Sequence, residues 1–236
     1  MKYMGSKRRI AKYILPIILK GKKSENKHFY DMFVGGGNII ENVNGKRIGV
    51  DSNPFIIDAL LSIRDNVFDL PKNKKDFTEY NYKKAKSNGH IYNGYISFAL
   101  SYGGKFWGGW CRDKENKRDY VNESYRNAVV QSKKIQNVVF LNCNYDEIKI
   151  EQDSIIYCDP PYANTTKYKD DFDHEKFWQW CREKSIKGHQ VFISEYNAPD
   201  DFVCLWSKEI VSSLTKDTGS KKSIEKLFIY KNKENK

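Results

Sequence analysis

Between His28 and Arg64 the chain reads strand, glycine turn, helix, strand, helix, and few folds accept that order. His28-Phe29-Tyr30-Asp31-Met32-Phe33 is a short apolar strand, and Val34-Gly35-Gly36-Gly37-Asn38 is a tight turn. Ile39 to Val43 opens a helix, and Arg47-Ile48-Gly49-Val50-Asp51 is a second strand ending on an acid. Pro54 sits where a first helical turn accepts proline, and the helix runs to Arg64. Strands alternating with helices predict an α/β fold around a mostly parallel sheet. The pattern resumes at Val138–Leu141, Ser154–Cys158, a helix near 173–186, and Gln190–Ser194. Two last strand candidates, Asp201–Ile210 and Glu225–Tyr230, flank a polar turn around Lys216–Lys222. Near the start, Ser6 is the expected N-cap of a helix reaching about Lys20.

From Asp69 to about Lys134 the texture changes. Lysines mix with tyrosines, no strand alternation appears, and one loop, Ser101 to Arg112, is rich in glycine and aromatics. Residues 69–136 are therefore expected to form an inserted, mostly helical lobe, with 1–68 and 137–236 forming the sheet domain. A chain of 236 residues accommodates that arrangement.

The net charge of +11 points toward a polyanionic partner, although a lysine-rich solvated surface explains the same number. No apolar run approaches the roughly 20 residues that span a bilayer. Met1 to Leu19 is basic and then apolar, as a leader peptide is. Pro16 and the Lys20-Gly21-Lys22-Lys23 ending instead favour an amphipathic helix of a cytoplasmic protein. The five cysteines form no CxxC pair and the four histidines stand far apart, so neither a metal site nor a disulfide framework is expected.

Asp159-Pro160-Pro161-Tyr162 directly follows the apolar strand ending at Cys158. The prolines donate no hydrogen bonds and fix their own φ, which makes a stiff ledge at a strand's C-terminal end. Ligands of open α/β sheets sit there. The Asp159 carboxylate and the Pro160 carbonyl can each accept one hydrogen of an exocyclic amine, and Tyr162 can stack on its ring. Such an amine is a poor nucleophile, because its lone pair is delocalised into the ring. Two acceptors favour a localised lone pair, and orientation toward an activated methyl can remove roughly 7–11 kcal/mol of barrier. The glycine turn lets backbone approach a ligand, and Asp51 can accept hydrogen bonds from ribose hydroxyls. That pair alone specifies only a nucleoside-containing cofactor.

Together these motifs resemble the Dam-type family of DNA adenine N6-methyltransferases over nearly the whole chain. The resemblance implies a Rossmann-like methyltransferase sheet with an antiparallel C-terminal hairpin. It further implies S-adenosylmethionine as cofactor and double-stranded DNA as partner. Asp159, Pro160 and Tyr162 match the catalytic tetrad. Tyr3 and Lys7, in Met1-Lys2-Tyr3-Met4-Gly5-Ser6-Lys7, match an N-terminal cofactor motif. Phe33, Gly35 and Gly37 match the cofactor loop, Asp51 the ribose acid, and Asp146 a cofactor-edge acid; Asp159 borders the cofactor as well. Trp107, Gly108 and Arg112 stand in places comparable to the aromatic, amide and guanine-reading arginine of the family's recognition loop, so the amide contact is missing here.

A base-modifying enzyme must flip its target out of the duplex. Phe106, Trp107 or Trp110 can fill the gap as a wedge. Arg112 can read guanine bidentately, and Lys105, Arg118 and Arg126 can hold phosphates. Tryptophans packed as lobe core and charges on a solvated face are the structural alternative. A monomer is the expected state. The functional alternatives are N4 methylation of cytosine and a DNA-binding relative without activity. A nicotinamide-dependent oxidoreductase leaves the proline ledge and the basic lobe unexplained.

Overall fold

The computed structural model describes residues 1–20, 27–113, 115, 117–162, 172–211 and 222–231. Its sheet has seven strands: β1 (Phe29–Asp31), β2 (Arg47–Asp51), β3 (Val138–Asn142), β4 (Ile155–Cys158), β5 (Gln190–Glu195), β6 (Phe202–Val211) and β7 (Lys222–Tyr230). Their spatial order is β3-β2-β1-β4-β5-β7-β6. The first five strands pair in parallel, and β7 runs antiparallel between β5 and β6. This is the mostly parallel sheet with an antiparallel C-terminal hairpin that the resemblance implies. The chain winds outward from β1 to β3 on one side and from β4 onward on the other. The order therefore reverses between β1 and β4, and a crevice opens beyond the carboxyl ends of those strands.

Helices cover both faces. β1 and β4 are buried along their full length, as their unbroken apolar runs require. On one face pack α1 (Ala11–Ile18) and α2 (Pro54–Asp65), through Ile14, Ile18, Leu60 and Ile63. On the other packs α6 (His174–Ile186), through Phe177, Trp178, Trp180 and Cys181. Ser6 caps the one-turn 3-10 helix ahead of α1 by accepting from the Arg8 N–H. Asn53 caps α2 with Pro54 at its first turn, and Asp173 caps α6. The helix expected from Ile39 to Val43 is only a 3-10 turn over Ile40–Asn42. Val43 is already extended, at φ −106° and ψ 139°, and Gly45, three residues past Asn42, takes a positive φ that keeps the helix from resuming.

The described part of 69–136 holds α3 (Glu79–Asn88), α4 (Asn93–Ala99) and α5 (Tyr120–Ile135). Thr78 and Asn81 form a capping box on α3, and Asp119 caps α5. These helices are continuous with the main core: Tyr95, Phe98, Val121 and Ile135 share one apolar cluster with Phe29 and Leu60. α4 lies so close to α2 that a Cβ on Gly94 would stand 2.3 Å from the Phe55 carbonyl oxygen, while the Gly94 N–H donates to Asp58 at 2.7 Å. Residues 212–221, including most of the expected hairpin turn, and 232–236 of the expected C-terminal tail lie outside the described residues.

Candidate active site

The turn after β1 is pinned from both neighbouring strands. Met32 N–H donates to the Tyr157 carbonyl of β4 at 2.9 Å, and Val34 N–H to the Val50 carbonyl of β2 at 2.9 Å. Gly35 N–H donates to Asp51 Oδ2 at 3.1 Å, and the other Asp51 oxygen accepts from Asn53 N–H at 3.0 Å. Gln131 on α5 donates to the Gly36 carbonyl at 2.9 Å. Gly35 sits at φ 46°, in the left-handed region. A Cβ there would lie 2.8 Å from the Tyr3 ring. Gly35→Ala is therefore expected to lower unfolding free energy in a urea titration by about 1–3 kcal/mol, from backbone strain and displacement of Tyr3.

One cleft joins this turn to the proline ledge. It is lined by Tyr3, Lys7, Asp31, Phe33 and Gly35 on the turn side and by Tyr157 and Asp159 on the β4 side. Asp159 forms an ion pair with Lys7, whose Nζ is 3.2 Å from its Oδ1. The same ammonium lies 3.2 Å from Glu225 Oε2 on β7 and 4.2 Å from the Tyr162 ring centroid. The Tyr162 hydroxyl donates to Glu225 Oε2 at 2.7 Å, and its ring meets Tyr196 edge-on at 4.4 Å. Pro160 is buried behind the ledge.

Burial shapes the charges here. It pushes the Asp159 carboxyl up to about 6, with Lys7 opposing the shift and Glu225 adding to it. Burial also raises Asp51 to about 6, against the two backbone N–H groups that it accepts. Asp31, 2% exposed, is pushed well above the usual carboxylate range by burial and by the nearby Asp159 and Asp51 charges. Among the described residues one of its oxygens has no hydrogen-bond partner. For Lys7, burial disfavours the ammonium, but Asp159 and Glu225 together outweigh it and raise its pKa.

Of the remaining expected cofactor residues, only Phe33 lines this cleft. It also packs on Tyr145, Phe172 and Phe177 at 5.6–5.8 Å. Gly37, at φ 70°, turns toward Leu60 and Gln131 and makes the turn without lining the cleft. Asp51 sits behind Gly35. Asp146 stands apart, paired with Lys176 on α6 at 2.5 Å.

A family model for the D12 class N6 adenine-specific DNA methyltransferases matches residues 3–223. The chain belongs to this family. The type II methyltransferase M.FokI of Planomicrobium okeanokoites is 24% identical to this family member over 218 residues. That alignment covers 79% of the chain and 32% of M.FokI, so the chain spans about a third of that relative's length. Among solved structures, the tRNA (m1A58) methyltransferase TrmI from Aquifex aeolicus is similar at TM-score 0.40 and 10% identity, over 93% of this chain and 68% of that one.

In this D12-class chain the lobe loop is braced from within. Trp107 packs edge-on against Tyr82 at 5.1 Å, and Trp110 sits 5.6 Å from the same ring. Both are partly buried against the main core. Phe106, 40% exposed, rests on Phe55 at 4.9 Å and Phe98 at 5.3 Å. Arg112 makes a two-point pair with Glu79, and Arg118 another with Glu123 at 2.7–2.8 Å. Lys105 and Arg126 are exposed. Sequence reasoning left two residues out of the site. Asp31 was readable as a strand-end acid before the glycine turn. Glu225 gave no signal, because only the antiparallel hairpin brings it beside Lys7.

Among the described residues no group of His, Cys, Asp or Glu is arranged to hold a metal ion. No helix among them is long and apolar enough to cross a membrane.

Proposed function

We propose that this family member transfers a methyl group from S-adenosylmethionine to N6 of an adenine flipped out of double-stranded DNA. The observation that carries the reading is the shared cleft: the Asp159 carboxylate and the glycine turn open onto one space at the point where the strand order reverses.

The donors and acceptors present fit the cofactor. Asp31 presents an unpartnered buried carboxylate oxygen, which calls for a cationic group. The amino-acid end of S-adenosylmethionine bears an ammonium of that kind. Asp51 retains lone pairs for ribose hydroxyls, since each oxygen accepts only one backbone N–H. Tyr3, Phe33 and Gly35 supply the remaining walls, and Gly37 shapes the turn that carries them. Bound there, the cofactor supplies an electrophilic methyl group on a sulfonium. Asp159 and the Pro160 carbonyl take the two amino hydrogens of adenine and orient its lone pair. Tyr162 supplies the aromatic surface beside the base, and Lys7 neutralises part of the Asp159 charge before the amine arrives. Asp146 serves as a second-layer acid through its tie to Lys176 rather than as a direct cofactor ligand.

Residues 69–136 act as the target-recognition lobe, with the sheet domain formed by 1–68 and 137–236. The 101–112 loop and the start of α5 face DNA. Lys105 and Arg126 contact phosphate directly, and Arg112 and Arg118 exchange Glu79 and Glu123 for DNA acceptors. Trp107 and Trp110 brace the loop, which leaves Phe106 as the exposed wedge. DNA affinity is expected to fall steeply with salt, and Lys105→Ala or Arg126→Ala should each reduce the log–log salt slope by about 1. Fluorescence anisotropy with a labelled duplex measures it; a flat response would contradict the basic-lobe assignment.

Modified-base sequencing of DNA from cells expressing the protein tests the whole reading. N6-methyladenine in one sequence context supports it. N4-methylcytosine there, or no modification, overturns it.

A further inference from the structure

We propose that Glu225 is a positioning residue that keeps the amine-binding end of the site negatively charged. It does so by holding the Lys7 ammonium and the Tyr162 hydroxyl beside Asp159. The inference rests on the methyl-transfer reading above and assigns a task to a residue outside the catalytic tetrad.

The geometry is a closed cluster. Lys7 Nζ is equidistant, at 3.2 Å, from Asp159 and from Glu225. Tyr162 donates to the same Glu225 oxygen at 2.7 Å and lies beneath the ammonium. Glu225 is buried, and its backbone pairs with Lys208 of β6, next to Lys226, which pairs with Glu195 of β5. One cation thus faces two carboxylates, and the cluster carries an excess negative charge. Without Glu225, Lys7 would cancel the Asp159 charge and settle wholly on the carboxylate that must receive the amine.

The reaction needs that excess. Transfer breaks the S–CH3 bond and forms the N6–CH3 bond. The sulfur keeps the electron pair and becomes a neutral thioether, while N6 takes on positive charge. N6 then loses one proton through the Asp159 carboxylate to water. Positive charge therefore migrates from sulfur to nitrogen, toward the cluster. Fixed negative charge at that end, inside a buried site, lowers the barrier. Glu225 also splits Lys7 away from Asp159, leaving lone pairs of Asp159 open to the amine.

Glu225→Gln is the test, since it keeps shape and acceptor but removes the charge. The first readout uses cofactor-free protein: carbon-13 NMR titration of the Asp159 carboxyl, assigned by its loss in Asp159→Asn. Lys7, Asp31, Tyr157, Tyr162 and Glu225 all act on that carboxyl. Removing the like charge of Glu225 moves its midpoint to lower pH; an unchanged or higher midpoint overturns the inference. The second readout is single-turnover transfer at saturating DNA and cofactor. The rate falls on the order of tenfold to a hundredfold, with both KM values nearly constant. Glu225→Asp, which retains the charge, recovers much of the rate and moves the midpoint back. An Asp variant no better than the Gln variant overturns the charge argument, whatever the stability of either. Wild-type protein that methylates no DNA overturns the function proposed above and the catalytic part of this inference with it. An active wild type with an equally active Glu225→Gln overturns this inference alone.

Discussion

Asp159→Asn is expected to lower single-turnover methyl transfer to DNA by roughly a thousandfold, in the range seen when one preorganised electrostatic partner is lost. The substitution keeps side-chain volume and leaves the Pro160 carbonyl in place, so the ledge survives. What it removes is the charge that receives an amine becoming cationic, and it sets an NH2 donor against the amine's own hydrogens. Rate–pH profiles separate this from a folding defect. The Asp159 carboxyl titrates near 6 in the cofactor-free site. On the proposed mechanism activity requires the ionised form, so it should rise with pH through that region and be lost below it. Residual activity of the Asn variant should lack that limb. A variant within tenfold of wild type would remove Asp159 from the chemistry.

Asp31→Asn is expected to act on cofactor affinity and on stability with opposite signs. A hydrogen bond to a charged group is worth about 1.5–3 kcal/mol, so losing the carboxylate should weaken S-adenosylmethionine binding by roughly tenfold to a hundredfold in calorimetry. Stability should move the other way. Asp31 titrates well above an unfolded aspartate, chiefly because of burial. As pH rises past the unfolded value of about 3.9, the unfolded chain ionises before the folded one does. The folded state then holds the extra proton and loses relative stability with rising pH. Asp31→Asn abolishes that penalty. Thermal midpoints of the two proteins should nearly coincide below pH 4 and diverge in the variant's favour as pH rises past it, without cofactor. Tighter cofactor binding by the variant would contradict the assignment.

The parts of this site that lie close together in sequence were legible without coordinates. Apolar runs ending in Asp31, Asp51 and Asp159 mark the carboxyl ends of parallel strands, and the glycines between Val34 and Asn38 mark the turn over them. The residue pattern also marked the last two strands and the buried face of α6, and the family resemblance implied that those strands form a hairpin. What stayed hidden depends on contacts between distant segments. Glu225 reaches Lys7 only because β7 inserts antiparallel next to β5, and register there follows from tertiary pairing rather than local pattern. Arg112 reads as a free recognition arginine in sequence, yet Glu79, a helix away, already holds it. The tryptophans beside four glycines read in sequence either as wedges or as packed core, and only the fold shows that both lie against Tyr82 and the main core. The short helix after the glycine turn ends locally: Val43 is extended after one turn, and Gly45 follows at positive φ.

The central claim is that the ledge beginning at Asp159 grips an adenine amine in a space continuous with the cofactor turn. Incubation with methyl-tritiated S-adenosylmethionine and a duplex containing every short sequence context, followed by nucleoside digestion and mass spectrometry, tests it most directly. The expected result is label in N6-methyladenine alone with the wild-type chain and none with Asp159→Asn. Label in N4-methylcytosine, no label in DNA, or equal label from both proteins would contradict it.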